Sequence, residues 1–130
     1  MAIDKNIVVL VGGVGGAKLA LGLAHIVPPE KLTLIVNTGD DFWHLGLKIC
    51  PDLDTLMYTL SGVVNPEFGW GVQGDSRTML ETLQRHYQLD PWFGIGDKDL
   101  ATHLLRTHYL HEGKTLTEIV QSMSRKIGVQ

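Results

Sequence analysis

Three groups of residues in this chain could handle a phosphorylated ligand. The first is Gly12-Gly13-Val14-Gly15-Gly16-Ala17-Lys18, which follows the apolar run Ile7-Val8-Val9-Leu10-Val11. A glycine turn opening into a helix presents backbone N–H groups and the positive helix end to an anion. The spacing departs from two familiar signatures. A dinucleotide fingerprint wants Gly or Ala where Lys18 stands, and a P-loop wants Gly-Lys-Ser/Thr where Ala17-Lys18-Leu19 stands. A tight turn packing a helix on a strand would use the same glycines. The second group is acidic. Asp40 and Asp41 close the segment Asn37-Thr38-Gly39-Asp40-Asp41, and Asp54 lies in Cys50-Pro51-Asp52-Leu53-Asp54-Thr55. Adjacent carboxylates suit a divalent cation, and an acid this far beyond a glycine turn can hold a ribose hydroxyl. Turn-forming and helix-capping roles fit these residues as well. The third group is Asp99, His103 and Arg106, spaced i, i+4 and i+7. Carboxylate, imidazole and guanidinium together can pair with a diphosphate or a base, although such a stripe is also the usual solvated face of a helix.

The elements that must position these groups follow from periodicity. Residues 7–11 and 32–36 are continuous apolar β-branched runs, the pattern of buried parallel strands. A helical segment over 19–26, stopped by Pro28-Pro29, separates them and completes a βαβ unit with a right-handed crossover. Ligands gather beyond the carboxyl ends of such strands, where the glycine turn and the 37–44 loop both lie. Leu53, Leu56, Met57 and Leu60 mark a helix with Asp52 as its N-cap. Residues 61–74 are irregular, and Phe68 and Trp70 there could cover a flat ring or anchor the loop. A further helix runs from Asp75, with Met79, Leu80, Leu83 and Tyr87 inward. Asp97 is the N-cap of a helix reaching about His111, with Gly113 beyond its end. Thr115 and Glu118 form a capping box for the last helix, which runs to Gly128.

The fold class expected is α/β, a Rossmann-like three-layer arrangement with a parallel sheet and a helix-rich C-terminal half. At 130 residues the chain has room for one such domain, spanning 1–130. Two clear strands are little sheet for so many apolar helix faces, so the chain reads as the N-terminal part of something larger. A net charge of −3 gives no footing for nucleic acid or a membrane surface. The single cysteine, Cys50, excludes an internal disulfide and reads as a packing residue. With no signal-like start and no long apolar run, a cytoplasmic protein is expected.

Five of these segments, taken in order, resemble the 2-phospho-L-lactate transferases of coenzyme F420 biosynthesis. They are Gly12 to Lys18, Val36-Asn37-Thr38-Gly39-Asp40-Asp41, Cys50 to Thr55, Gly69-Trp70-Gly71, and Gly96-Asp97-Lys98-Asp99-Leu100-Ala101-Thr102-His103. The resemblance implies transfer of a phospholactyl, phosphoenolpyruvyl or phosphoglyceryl group. The donor would be a guanosine diphosphate conjugate, the acceptor the deazaflavin FO, and GMP would be released with the help of Mg²⁺. It makes Asp54 the residue that contacts the deazaflavin, and Asp41 and Asp54 the catalytic pair that holds Mg²⁺ or orients the attacking hydroxyl. Gly12, Gly13, Gly15 and Gly16 would cradle phosphate, with Lys18 and Asn37 beside them. Asp97, Asp99, His103 and Arg106 would line the pocket, Arg106 facing the diphosphate. Small-molecule substrates are the partners implied, and a homodimer is left open. The YvcK-type nucleotide-sugar-binding factors, which share the glycine turn and an aspartate pair, are the alternative.

Overall fold

A computed structural model describes residues 3–129. Strands β1 (Ile7–Val11) and β2 (Leu32–Val36) pair in parallel, from Ile7 opposite Leu32 to Val11 opposite Val36. Helix α1 (Gly13–Ala24) and a 3-10 turn (Pro29–Lys31) make the crossover. The expected α/β, Rossmann-like plan therefore holds. The helix, however, starts well before Leu19, because the glycines build its first turn rather than a separate loop. Gly12 is extended, and Gly13 turns the corner at φ +66°, a conformation that costs a residue with a Cβ far more.

Helix α2 (Pro51–Ser61) packs on α1. Buried Ala17 and Ala20 of α1 form one core with Val11 and Leu56, and Val9, Leu34 and Val36 pack against it. These side chains all point to one face of the β1–β2 pair. On the other face Val8, Leu10 and Ile35 are 61%, 81% and 52% exposed. The continuous burial expected of both strands is thus replaced by alternation, since the described helices cover one face only.

A hairpin follows that the sequence reading did not contain. β3 (Phe42–His44) pairs antiparallel with β4 (Leu47–Ile49). Leu45 and Gly46 both have positive φ, at 51° and 77°, as a type I′ turn demands. Leucine in place of the usual Asn or Asp hides that turn from inspection.

The C-terminal half holds α2, α3 (Thr78–Tyr87), α4 (Asp97–His111) and α5 (Leu116–Ile127). Three expectations about these helices need correction. Cys50, not Asp52, is the residue that precedes α2. Helix α3 starts at Thr78 rather than Asp75, and Tyr87 is 72% exposed instead of inward. Helix α4 begins at Asp97 itself, with Gly96 as its cap position. The reason lies in an exchange of caps. The Asp75 carboxylate accepts from the Lys98 and Asp99 N–H groups of α4, at 2.7 and 3.1 Å. The Asp97 carboxylate accepts from Thr78 and Met79 of α3, each at 2.9 Å, and from the Ser76 hydroxyl at 2.6 Å. Each aspartate therefore caps the other's helix. The α5 capping box forms as expected, and a second core joins Met57, Tyr58, Ile119 and Met123. No helix among the described residues is long and apolar enough to cross a membrane.

Candidate active site

The polar stripe of α4 faces inward. His103 and Arg106 are each 1% exposed, whereas Leu104 on the same helix is 52% exposed. Opposite them Asp54 projects from the first turn of α2 and is buried. Arg106 Nη2 donates to Asp54 Oδ1 in a close ion pair. Its Nη1 donates to the Lys48 carbonyl of β4 at 3.0 Å and to His103 Nδ1 at 3.2 Å. Because an arginine can only donate, Nδ1 must carry the lone pair, and the imidazole proton sits on Nε2. That nitrogen lies 3.1 Å from Asp99 Oδ2. Tyr58, one turn beyond Asp54, donates its hydroxyl to Asp99 Oδ1 at 2.6 Å and lies 2.6 Å from Thr102 Oγ1. Thr107 Oγ1 accepts from the Lys48 N–H at 2.9 Å. Side chains of α4 thus satisfy both backbone groups of Lys48 in the short strand β4.

Burial sets the electrostatics. It pushes the Asp54 carboxyl up to about 6, against the lowering effect chiefly of Arg106. Asp99 also suffers burial, yet the His103 and Tyr58 hydrogen bonds and nearby positive charge hold it below the ordinary carboxylate range. Burial, then Asp54 and Asp99, drive the Tyr58 phenol far up, so it remains a donor. The buried Cys50 thiol rises to about 12, chiefly through burial, and this fits the packing role expected of it. Two carboxylate oxygens, Asp41 Oδ1 and Asp54 Oδ2, are buried without a hydrogen-bond partner. Asp54, Asp99 and His103 also bring ligand atoms within 4.8 Å of one another, an arrangement compatible with a divalent metal.

A cavity of about 320 Å³ opens in front of Asp54. Gly13 of the glycine corner, Tyr58, Asp99, His103, Trp70 and Phe93 share its wall. Trp70 stacks on Phe68 with ring centroids 5.6 Å apart. Their loop is held close to α1, since a Cβ on Gly69 would lie 2.6 Å from Val14 Cγ1.

Of the residues expected at the site, Gly13, Asp54, Asp99 and His103 meet in this cavity. The others lie elsewhere. Gly12 and Asn37 line a separate groove of about 420 Å³ at the carboxyl ends of β1 and β2. Gly15 and Lys18 are exposed on α1, and Gly16 packs against Val11. Asp41 is half-buried beside Cys50 and outside the group of Asp54, Asp99 and His103. Asp97 is a helix cap, held to about 2 by Ser76 and the Met79 and Thr78 N–H groups. Arg106 sits behind Asp54 and away from the cavity wall.

Two further participants went unrecognised in sequence. Asp52 accepts from the Gly13 N–H at 2.6 Å and from Asn37 Nδ2 at 3.0 Å. It thereby ties the glycine corner to β2 and α2. Tyr58 carries no reading in the sequence, although its place four residues after Asp54 sets both on one helix face.

A parallel βαβ unit whose glycine corner opens beside a carboxylate-lined cavity is the plan of a Rossmann-like ligand-binding protein. A family model described as 2-phospho-L-lactate transferase CofD matches residues 7–130, and the chain belongs to that family. Among curated proteins it is similar to a phosphoenolpyruvate transferase of Nocardia farcinica, 46% identical over 125 residues, covering 96% of this chain and 38% of the relative. The Streptomyces avermitilis phosphoenolpyruvate transferase is 47% identical over 118 residues, covering 91% of this chain and 37% of that protein. The one from Mycolicibacterium smegmatis is 43% identical over 130 residues, covering 93% and 40% respectively. The chain therefore spans less than half the length of the curated relatives it matches.

Proposed function

We propose that this chain carries acceptor-side residues of a transferase in coenzyme F420 biosynthesis. The enzyme would move a phosphoenolpyruvyl or phospholactyl unit from a guanosine diphosphate conjugate to a hydroxyl of the deazaflavin FO. Family membership and the names of the relatives as phosphoenolpyruvate transferases support the group transferred. The single observation that carries the reading is Asp54, buried at the cavity wall with Oδ2 unpartnered. A desolvated carboxylate raised to about 6 is suited to take a proton near neutral pH.

In this mechanism the FO hydroxyl oxygen attacks the phosphorus that bears the three-carbon acid. The new P–O bond forms as the bond to GMP breaks. The hydroxyl proton passes to Asp54 Oδ2, and the electron pair leaves with the GMP phosphate. Trp70 and Phe93 offer the apolar wall for the flat acceptor ring. Gly12 to Gly15 would receive phosphate through backbone N–H groups once Asp52 leaves the Gly13 N–H, whereas the Gly16 N–H is bonded to the Gly12 carbonyl. Of the Asp41 and Asp54 pair expected to hold Mg²⁺, Asp54 is grouped with Asp99 and His103, whose ligand atoms lie within 4.8 Å of one another, and these residues would hold the ion; Asp41 stands outside that group. Bound there, the ion would supply neutralisation of charge on the diphosphate. Small-molecule chemistry of this kind accords with a cytoplasmic setting.

Titration of FO fluorescence with this chain, with and without Mg²⁺ and a guanosine diphosphate ligand, tests the reading. Saturable binding is expected, weakened at least about tenfold by Asp54→Asn, the scale of losing a buried charged acceptor. Undiminished binding by a folded Asp54→Asn variant would overturn it.

A further inference from the structure

Arg106 has the chemistry of a diphosphate clamp and the wrong position for one. Its guanidinium is 1% exposed and bonded on both amino groups to the protein itself. One amino group pins Asp54 Oδ1. The other is shared between a β4 carbonyl and His103 Nδ1, at 3.0 and 3.2 Å. The planar fork fixes both directions at once, which a lysine ammonium on a flexible stem does not.

The consequence falls on the free oxygen. His103 Nδ1 lies 3.6 Å from Asp54 Oδ2. That separation is just beyond hydrogen-bond length, so a proton on Nδ1 would need only a small shift of the ring to engage that oxygen. Arg106 prevents this by donating to Nδ1, which leaves Nε2 to donate to Asp99. We propose that Arg106 is the positioning residue of this site: by holding Asp54 Oδ1 and the Nδ1 lone pair of His103 together, it keeps Asp54 Oδ2 free of any hydrogen bond from the protein itself. Arg106 touches no ligand in this scheme and acts only through its two neighbours. The inference rests on Asp54 being the ligand-facing carboxylate.

Two measurements on the full 130-residue chain test it. Imidazole ¹⁵N NMR should place the His103 proton on Nε2 in the wild type, and Arg106→Lys should move a substantial share to Nδ1. A wild-type His103 protonated on Nδ1 overturns the proposal without any variant, as does a tautomer indifferent to Arg106→Lys. In the FO titration, Arg106→Lys should weaken binding about tenfold, as loss of an outer partner behind a binding group does. In an Asp54→Asn background the same change should alter affinity less than about twofold, because the two positions act as one unit. Equal losses in both backgrounds would show Arg106 acting independently and sink the idea. Should the wild type not bind FO, the transferase reading fails and the tautomer measurement still decides the role of Arg106.

Discussion

Asp54 is subject to two opposing influences, and burial is the larger. With its carboxyl at about 6 when folded and near 4 when unfolded, the native state holds this proton more tightly than the unfolded chain. Stability from this group is therefore present below about pH 4 and is lost as pH rises to about 6. Urea unfolding across that window should show the decline in the wild type and its absence in Asp54→Asn. Ligand binding follows the opposite course. FO affinity should rise with pH through about 6 as Oδ2 ionises; a flat profile over that range would remove Asp54 from the role of proton acceptor. The neighbouring carboxylates differ because their partners differ. Asp99 receives donors from Tyr58 and His103, whereas Asp54 Oδ2 receives none.

Among the elements, α3 and α4 are locked by exchanged caps, and the residue just before α4 has no room for a side chain. A Cβ on Gly96 would overlap the Asp75 carboxylate. Gly96→Ala should unseat that cap, lower the melting temperature by a few degrees, as loss of a helix cap does, and speed amide exchange at Lys98 and Asp99. Unchanged exchange would mean that the cap contributes nothing. This lock also shows where reading the sequence stopped short. Asp52, Asp75 and Asp97 each look like the N-cap of the helix that follows, and each instead serves a helix distant in sequence. Composition reveals that an aspartate caps something; it does not reveal what. The α4 stripe presents a similar limit. Its i, i+4, i+7 spacing was evident, but a solvated face and a buried network have the same periodicity. Only the partners on α2 and β4 decide between them. Strongly local features, the βαβ unit and the α5 capping box, were legible because their determinants lie within a few residues.

Over the whole molecule, apolar surface is distributed unevenly. One face of the β1–β2 pair packs on α1 and α2, and the other presents Val8, Leu10 and Ile35 to solvent. In this chain Leu10→Lys should change unfolding free energy by no more than about 0.5 kcal/mol, the range for surface substitutions. A markedly larger loss would mean that Leu10 is covered in solution. At the carboxyl edge of the same strands, the Asp52 carboxylate sits on the Gly13 N–H, where an incoming anion would otherwise dock. That seat is already taken. On the proposed reading, a phosphate reaching the corner would have to exchange with that carboxylate, which also accepts from Asn37. A singly charged ion gains little by such a trade. A diphosphate, bringing more charge than the carboxylate it would displace, would gain more from that exchange.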